Sequence, residues 1–336
     1  MLKTNEIGST GLQVTKLGIG SAPLGGLFSH VDTDDAVDTV QASVHMGINY
    51  IDTAPLYGHG KSEELVGKAV STLSRKNIAI STKVGRILEN TDSPPSSEHF
   101  VNLPPKQPVY DYSRDGTLRS LEHSLERLKL SRVDLLYIHD PDEGNSLYNL
   151  YDAPNHYKQV MDETLPTLME LKYSKTIKAI GVGMNGCPML TQFAQHGEFD
   201  CFLVAGRYTL LDQSAMDELL PLCEKKNISI VIGGPYNSGI LASDLSPNST
   251  FFYEKVPQNI LERAKAIQRV CDRYNVPLKA AALQFCFTHP SVSSVIPGAR
   301  SVDEIKENFE MSQHPIPKDL WSELSSSGLI RPDIGF

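Results

Sequence analysis

The stretch that decides the fold is GINYIDTAPLYGHGKSEELVG, from Gly47 to Gly67. It begins with a short apolar run of the kind found in strands that are buried on both faces. The run ends on a carboxylate, Asp52, and the glycine-rich turn beyond it contains a phenol, Tyr57. A helix is predicted to begin after this turn. The stretch therefore predicts a strand–loop–helix unit with polar side chains at the carboxyl end of its strand.

The same alternation recurs along the chain. The candidate strands are KLGIGSA, INYIDTA, NIAISTKV, VDLLYIHD, IKAIGVGMN, CFLVAGRY, ISIVIGG and VSSVIPG. Helical patterns lie between them, for example the stripe of Leu118, Leu121, Leu125 and Leu128. Units of this kind without a break in composition predict an α/β fold, a parallel (β/α)8 TIM barrel. A doubly wound sheet also fits the alternation, but no G-x-G-x-x-G motif follows the first strand.

Two segments depart from the repeating pattern. EIGSTGLQVTKLG predicts a β-hairpin with its turn at Ser9 to Gly11, which would plug the lower end of the barrel. The segment from Ile87 to Gly116 is rich in proline, serine and aspartate and has no helical period. It predicts a long loop after the third strand that covers the substrate, although a surface insertion without function explains it equally well. We expect residues 1–336 to form a single barrel domain.

Composition limits the partners and the compartment. The net charge of −9 disfavours nucleic acid and anionic membranes, since neither polyanion is attracted to an acidic surface. No apolar run approaches the roughly 20 residues of a membrane helix, and the first residues lack a signal-peptide pattern. The cysteines form no C-x-x-C pair, as expected of free thiols in a reducing compartment. We therefore expect a cytoplasmic protein that acts on a small molecule.

Four polar side chains are predicted to meet at the mouth of the barrel. Asp52 and Tyr57 follow the second strand, Lys83 ends the third, and His139 ends the fourth. Taken alone, each has an ordinary explanation: a cap, a packed ring, a solvated amine or a surface imidazole. The carboxyl ends of barrel strands converge on one face, however, so the conjunction of the four favours an active site.

The chemistry of this set is proton transfer at a carbon–oxygen centre. A phenol has a pKa of about 10, and a neighbouring ammonium such as Lys83 lowers it. A carboxylate such as Asp52 keeps the lysine charged, and His139 can donate to a substrate oxygen. The set contains no nucleophile for acylation, and His139 with Asp140 alone does not make a metal site. Hydride transfer to a nicotinamide is the natural partner of such a proton transfer.

The segments NYIDTAPLYGHGKSEELVG, STKVG and DLLYIHD resemble, in order and spacing, the signature segments of the aldo-keto reductase superfamily. The resemblance runs from about Leu17 to Asn308. It implies that Tyr57 is the general acid–base and that Lys83 lowers its pKa. It also implies that Asp52 braces the lysine and that His139 positions the substrate.

The resemblance also implies an extended nicotinamide dinucleotide across the mouth. Gly20 and Ser21 would lie near the nicotinamide ribose, and Asn185 would contact the carboxamide. The loop after strand seven would hold the pyrophosphate, and the segment after strand eight would hold the adenosine. The matching residues are Gly20, Ser21, Asp52, Asn185, Pro235, Tyr236, Ser238, Gly239, Leu241, Ile296, Gly298, Ala299, Arg300, Glu304, Glu307 and Asn308.

The chain departs from the family pattern at the nicotinamide. Many members carry an aromatic ring where this chain has Gly233, and a glutamine where it has Ala205. We expect a different grip on the nicotinamide that uses Tyr208 or Arg207.

A further departure concerns the choice of cofactor. NADP-specific members place a lysine and an arginine where this chain has Gly298 and Glu304. A carboxylate would repel the 2′-phosphate of NADP and could accept a hydrogen bond from the free ribose hydroxyl of NAD. Although Arg300 is a counterweight, the sequence predicts NAD over NADP.

Three segments, YDYSRDGTLRSLEHSLERLKLSRVDLLYIHDPD, AGRYTLLDQ and GGPYNSGIL, resemble the sugar and pyridoxal dehydrogenase branch of the superfamily. This branch includes D-threo-aldose 1-dehydrogenase, L-fucose and L-galactose dehydrogenases, and pyridoxal 4-dehydrogenase. The resemblance implies oxidation of a cyclic hemiacetal to a lactone, with polar residues of the long loop in the pocket: Asp111, Tyr112, Ser113 and Arg114. A broad NADPH-dependent aldehyde or ketone reductase and a non-enzymatic binding module remain alternatives.

Overall fold

The computed structural model describes residues 2–93, 95, 97, 99–142 and 155–335. Its strands are β1 (Thr4–Glu6), β2 (Gln13–Thr15), β3 (Ile19–Gly20), β4 (Tyr50–Asp52), β5 (Ala79–Val84), β6 (Arg86–Asn90), β7 (Lys106–Tyr110), β8 (Leu135–His139), β9 (Ala179–Met184), β10 (Cys201–Ala205), β11 (Ser229–Gly233), β12 (Thr250–Phe251), β13 (Glu254–Lys255) and β14 (Val292–Ile296). Its α-helices are α1 (Thr33–His45), α2 (Lys61–Val70), α3 (Arg114–Leu128), α4 (Tyr157–Gln159), α5 (Leu165–Tyr173), α6 (Cys187–His196), α7 (Leu219–Lys226), α8 (Gln258–Arg273), α9 (Leu278–Phe285), α10 (Val302–Gln313) and α11 (Lys318–Ser326).

Eight parallel strands form the main sheet, one from each predicted apolar run. Their order is β3-β4-β5-β8-β9-β10-β11-β14. Backbone pairing of Leu17 with Val295 and of Gly20 with Gly298 returns the last strand to the first, so the sheet closes. The prediction of a (β/α)8 barrel is therefore confirmed, and the doubly wound alternative is wrong.

The barrel strands are apolar because both of their faces are covered. Every residue of β5, β8, β9, β11 and β14 is buried. The inner face forms a cluster that includes Tyr50, Tyr137, Cys201 and Val231. The hydroxyls of Tyr50 and Tyr137 are hydrogen-bonded at 3.1 Å, so these polar atoms have partners inside the barrel.

The N-terminal hairpin closes the amino end of the barrel. β1 and β2 pair antiparallel, and the backbone N–H of Gly8 donates to the Ser229 hydroxyl, at the first residue of β11, at 2.8 Å. The side chains of Ile7, Leu12 and Val14 are buried in the inner cluster. Each buried aliphatic side chain stabilises the fold by roughly 1.5–3 kcal/mol. The predicted plug is confirmed.

The long segment after β5 is only partly irregular. Its ends pair antiparallel as β6 and β7, and its tip crosses the loop after β3. There the N–H of Phe28 donates to the carbonyl of His99 at 2.7 Å, and the N–H of Val101 donates to that of Gly26 at 3.0 Å. The predicted long loop after the third barrel strand is therefore present, but its two ends form strands, which leave no helical or continuous apolar signal in the sequence.

The helices cover the outside of the sheet through amphipathic faces. In α3 the hydroxyl of Ser113 accepts from the N–H of Gly116 at 3.0 Å, which caps the helix start. Leu121 and Leu128 of the predicted stripe are buried. Among the helices of the described ranges, none combines the length and apolarity that crossing a membrane requires.

Candidate active site

Three neighbouring strands bring the predicted catalytic side chains to one end of the barrel. Asp52 is the last residue of β4, Lys83 lies one position before the end of β5, and His139 is the last residue of β8. All three are buried. Tyr57 lies in the turn after β4, where Gly58 has a φ of +61° that favours glycine. The structure thus places all four side chains at the carboxyl end of the sheet.

A buried ion pair lies beneath the phenol ring. The ammonium of Lys83 donates to the two carboxylate oxygens of Asp52 at 2.8 and 2.7 Å and to the carbonyl of Thr53 at 2.9 Å. The hydroxyl of Ser81 donates to the same carboxylate at 2.7 Å. The ammonium nitrogen is 4.9 Å from the centroid of the Tyr57 ring. Because both charges are compensated, they can persist out of water and hold the ring from below.

The pKa of the Tyr57 phenol lies above its ordinary value. Burial raises its pKa well above 10, the charge of Asp52 raises it further, and the Arg86 guanidinium lowers it. That Lys83 lowers this pKa during the reaction stays a prediction from the resemblance. The phenol therefore carries its proton at neutral pH and must lose it before it can act as a base.

His139 lies edge-on to the phenol and is neutral. Its ring is perpendicular to that of Tyr57, with the centroids 5.8 Å apart. Burial, followed by the charges of Arg86 and Lys83, lowers the pKa of His139 well below its usual range. Sequence reasoning missed Arg86, although it directly follows the STKVG segment. Within the described residues, no group of three or more histidine, cysteine or acidic side chains could hold a metal ion.

A groove leads from Tyr57 across the barrel mouth to α10. Most residues of the predicted cofactor site line it: Gly20, Asp52, Pro235, Tyr236, Ser238, Gly239, Ile296, Gly298, Arg300, Glu304, Glu307 and Asn308. The others do not line it: Ser21, Asn185, Leu241 and Ala299. Ser21 is fully buried and donates to the carbonyl of Asp52 at 2.7 Å, so it supports the strand end instead.

Part of the groove is lined by small or aliphatic residues. Leu203, Ala205 and Gly233 line it together. A Cβ on Gly233 would lie 3.2 Å from the Cδ2 of Leu203, a tight contact, so a larger side chain there would displace the leucine. The packing around position 233 therefore suits a glycine, because a larger side chain would have to displace Leu203.

Neither residue expected to replace that ring lies in the groove. Tyr208 is 1% exposed and packs on Phe285, with ring centroids 5.1 Å apart. Arg207 is paired with Asp212 at 3.0 Å. The expectation that Tyr208 or Arg207 contacts the nicotinamide is therefore wrong, because the chain after β10 turns both side chains toward other partners. The aromatic side chains that do line the groove are Phe28, Tyr57, Tyr236 and Tyr253.

A carboxylate and an arginine meet at the far end of the groove. The side chain of Glu304 accepts from the backbone N–H of Arg300 at 2.8 Å and from its guanidinium at 3.0 Å. The same guanidinium donates to the hydroxyl of Ser29 at 3.2 Å. Arg300 is therefore already paired, and the Glu304 carboxylate presents a hydrogen-bond acceptor at this end of the groove.

Gly298 fits the same end of the groove for a steric reason. A Cβ at this position would lie 2.6 Å from the Cγ of Pro23, in the turn after β3. The lysine that NADP-specific members carry here has no room beside that proline.

Two residues predicted to hold adenine already have protein partners. The amide of Asn308 accepts from the hydroxyl of Tyr236 at 2.8 Å and donates to the carbonyl of Gly298 at 3.3 Å. Glu307 is paired with Lys279, which also lines the groove and which sequence reasoning missed. The contacts of Asn308 connect the loops after β11 and β14, and the Glu307–Lys279 pair connects α10 with α9.

Aromatic side chains cover the mouth of the groove. The rings of His99 and Tyr253 stack with centroids 5.0 Å apart, and Phe28 lies 5.9 Å from each. Phe100 stacks on Tyr57 at 6.3 Å. The cover therefore joins the loop after β3, the long segment and the β12–β13 hairpin.

The polar residues of the long segment that were expected in the pocket do not line it. Asp111 accepts from Ser113, which caps α3, and Arg114 pairs with Glu170 at 2.7 Å. Tyr112 is fully buried. The expectation is wrong because this part of the segment prepares the start of a helix; the residues that reach the site are His99 and Phe100.

Comparisons with known proteins agree with this geometry. The sequence profile described as the Aldo/keto reductase family matches residues 16–328. The chain belongs to the aldo/keto reductase family. It is therefore an oxidoreductase, and members of this family use nicotinamide cofactors.

Characterised relatives cover almost all of the chain. It is 38% identical to pyridoxal 4-dehydrogenase of Microbacterium luteolum, over 98% of this chain and 99% of the relative. It is 35% identical to D-threo-aldose 1-dehydrogenase of a Pseudomonas species, over 96% of both chains. It is 29% identical to L-galactose dehydrogenase of Arabidopsis thaliana, over 91% and 87%.

Solved structures show the same fold. Aldo-keto reductase AKR11C1 from Bacillus halodurans, in its holo form, superposes with a TM-score of 0.76 at 23% identity, over 100% of this chain and 98% of that one. Glycerol dehydrogenase AKR11B4 from Gluconobacter oxydans gives 0.74 at 21% identity, over 99% and 98%.

The groove is elongated, and glycines and charged side chains line it, among them Asp52 and Glu307. Glycines at positions 20, 234, 239 and 298 line its length and leave room for close approach. The charged side chains Lys279, Arg300 and Glu304 also line it, and the last two meet beside α10. Twelve of the sixteen predicted cofactor residues line this groove.

Proposed function

We propose that this protein is an NAD-dependent dehydrogenase that oxidises the anomeric carbon of an aldose, of the L-fucose, L-galactose or D-threo type, to a lactone. The observation that carries the proposal is the buried Lys83–Asp52 ion pair under the Tyr57 ring, at one end of a groove of dinucleotide shape. The proposal extends to a single barrel domain that acts in the cytoplasm on a small molecule, without a nucleic-acid or membrane partner.

Each catalytic side chain has one task in this reaction. Tyr57, as phenolate, takes the proton of the anomeric hydroxyl. His139 donates a hydrogen bond to the same oxygen and orients the hemiacetal. Lys83 and Asp52 fix the ring and balance the charge that forms near it. The nicotinamide, when bound, supplies the acceptor for the hydride that leaves the anomeric carbon.

The choice of NAD rests on Glu304. Its carboxylate lines the groove beside α10 and neutralises Arg300. A 2′-phosphate would have to displace this carboxylate from the arginine and then lie next to it. A free ribose hydroxyl can donate to it without rearrangement.

A second substrate, pyridoxal, is favoured by the aromatic cover. Pyridoxal also forms a cyclic hemiacetal, so the same residues would yield a lactone from it. Its flat ring suits the stacked pair of Tyr57 and Phe100 better than a sugar does. The 38% identity to a pyridoxal 4-dehydrogenase supports the same alternative.

An absorbance screen at 340 nm tests both substrates and the cofactor. NAD⁺ and NADP⁺ are offered with L-fucose, L-galactose, D-arabinose, D-threose and pyridoxal. We expect NAD⁺ reduction with one of the sugars, lost in Tyr57→Phe. Turnover of pyridoxal alone would replace the aldose by the second candidate. No oxidation of any member of the panel, with NADPH consumed against simple aldehydes, would overturn the proposal in favour of a general reductase.

A further inference from the structure

Beyond the four predicted side chains, a buried arginine contacts the active-site histidine. We propose that Arg86, held by Asp140, is a positioning residue that fixes His139 as the tautomer with its proton on Nε2. Arg86 begins β6 and is 6% exposed. Its Nη1 lies 3.0 Å from Nδ1 of His139. The role of Arg86 in catalysis rests on the proposed function, whereas the assignment of the His139 tautomer does not.

The hydrogen-bonding capacity of the two groups decides the tautomer. A guanidinium has only donors, so Nδ1 of His139 must accept from Arg86 with its lone pair. A neutral imidazole carries one proton, which is then on Nε2. Nε2 also lies 3.4 Å from a carboxylate oxygen of Asp140, without the alignment of a hydrogen bond. The Nε2–H therefore stays available for a substrate oxygen.

Asp140 holds the guanidinium in place. Its Oδ2 accepts from Nη1 and from Nη2 of Arg86, each at 3.2 Å. Nη2 also donates to the hydroxyl of Tyr110 at 3.4 Å, and the guanidinium lies over that ring at 5.0 Å. Burial disfavours the charge on the arginine, but Asp140 raises the pKa of Arg86 overall. Arg86 is thus a permanent donor toward His139.

The backbone of Asp140 is bent to make this contact. Its φ is +40°, a conformation that L residues rarely adopt but that aspartate tolerates. The N–H of Asp140 donates to the carbonyl of Gly183 at 3.0 Å. The hydroxyl of Tyr112 donates to the carbonyls of His139 and Asp140 at 2.5 and 2.9 Å. Buried Tyr112 therefore secures the turn that aims the carboxylate at Arg86.

Nitrogen NMR of enzyme labelled with ¹⁵N-histidine tests the tautomer directly. The His139 signals are assigned by their loss in His139→Gln. We expect Nε2 protonated and Nδ1 unprotonated between pH 6 and pH 8 in the free enzyme. A proton on Nδ1, or an imidazolium at pH 7, would overturn the inference. This measurement stands even if the wild-type enzyme oxidises none of the proposed substrates, an outcome that would count against the proposed function alone.

Variants test the role in the reaction. In Arg86→Met we expect mixed tautomers of His139 and a kcat that is lower by about 10- to 100-fold, the scale for loss of an orienting partner. The KM for NAD⁺ should stay the same, since Arg86 does not line the groove. Arg86→Met combined with Asp140→Asn avoids an unpaired buried carboxylate and should show the same tautomer change if the single variant does not fold.

Two further variants separate positioning from structure. Arg86→Lys keeps the charge and should restore part of the kcat and the Nε2 tautomer. Arg119→Met removes an exposed arginine that pairs with Asp111 at 2.8 Å and should change neither. A merely structural Arg86 would lower the melting temperature and leave the His139 nitrogen spectrum unchanged, and that result would refute the positioning role.

Discussion

Two arginine–carboxylate pairs lie near opposite ends of the same groove. Arg86 and Asp140 lie near Tyr57, with side chains 7% and 8% exposed. Arg300 and Glu304 lie at the far end beside α10, with side chains 48% and 37% exposed. The buried pair cannot exchange its partners for water, so it serves to hold a neighbour in place. The exposed pair can open to solvent, and in the proposed function it selects the cofactor.

Removing the Tyr57 hydroxyl should have the largest effect. Tyr57→Phe deletes the group that accepts the substrate proton, so kcat for oxidation should fall by about 10³-fold. NAD binding, measured by fluorescence quenching, should stay unchanged. Tyr173→Phe is the matched control, because Tyr173 is 92% exposed and should leave kcat unaltered. Retention of a tenth of the activity in Tyr57→Phe would contradict the assignment.

Breaking an ion pair at each end of the groove should lower the free energy of unfolding by different amounts. Lys83→Met leaves Asp52 as a buried charge without its counter-ion, which should lower the free energy of unfolding by about 3–5 kcal/mol. Arg300→Met breaks the exposed pair and should cost about 0–1 kcal/mol. Urea unfolding measures both. Lys83→Met combined with Asp52→Asn should recover part of the loss, and equal costs for the two single variants would refute the distinction.

The pH dependence of the oxidation rate tests the role of Tyr57 at the buried end of the groove. Since burial raises the pKa of Tyr57, the phenol is protonated at neutral pH and must ionise before oxidation. The kcat/KM for oxidation should therefore rise with pH, by up to about tenfold per unit between pH 7 and pH 9. The reverse reduction uses the protonated phenol and should not rise. A flat oxidation profile would show that proton transfer to Tyr57 does not limit the reaction.

Changing the exposed carboxylate should have the smallest effect. Glu304→Gln removes the repulsion of a 2′-phosphate and should raise kcat/KM with NADP⁺ relative to NAD⁺ by about fivefold, since a contact between charges in water is worth ~1 kcal/mol. Glu310→Gln makes the same charge change on the same helix and is the control. An unchanged NADP⁺ to NAD⁺ ratio in Glu304→Gln would remove Glu304 from cofactor selection.

The sequence predicts the barrel and the catalytic side chains for the same reason. Strands buried on both faces read as apolar runs, and a polar residue at the end of such a run is conspicuous. Asp52, Lys83 and His139 could therefore be assigned to one end of the barrel before any contact was known. The N-terminal plug was predictable because its turn is marked by glycine.

What the sequence does not predict depends on contacts between distant segments. Arg86 gives no local signal, because its importance comes from His139 and Asp140, more than 50 positions away. Tyr208 was expected in the groove, but packing on Phe285 and a hydrogen bond with Thr288, both distant in sequence, determine where its ring lies. The strands β6 and β7 lie at the two ends of the long segment and pair with each other. Both are partly exposed, so no continuous apolar run marks them in the sequence.

The close approach of Gly298 to Pro23 restricts how this enzyme can evolve or be redesigned. A lysine at position 298 is a direct step toward gripping a 2′-phosphate, yet any side chain there meets the proline ring at 2.6 Å. A side chain at position 298 therefore requires Pro23 to shift or to be replaced. We therefore expect substitutions at position 298 to depend on the residue at position 23, so a library aimed at cofactor preference should vary the two positions together.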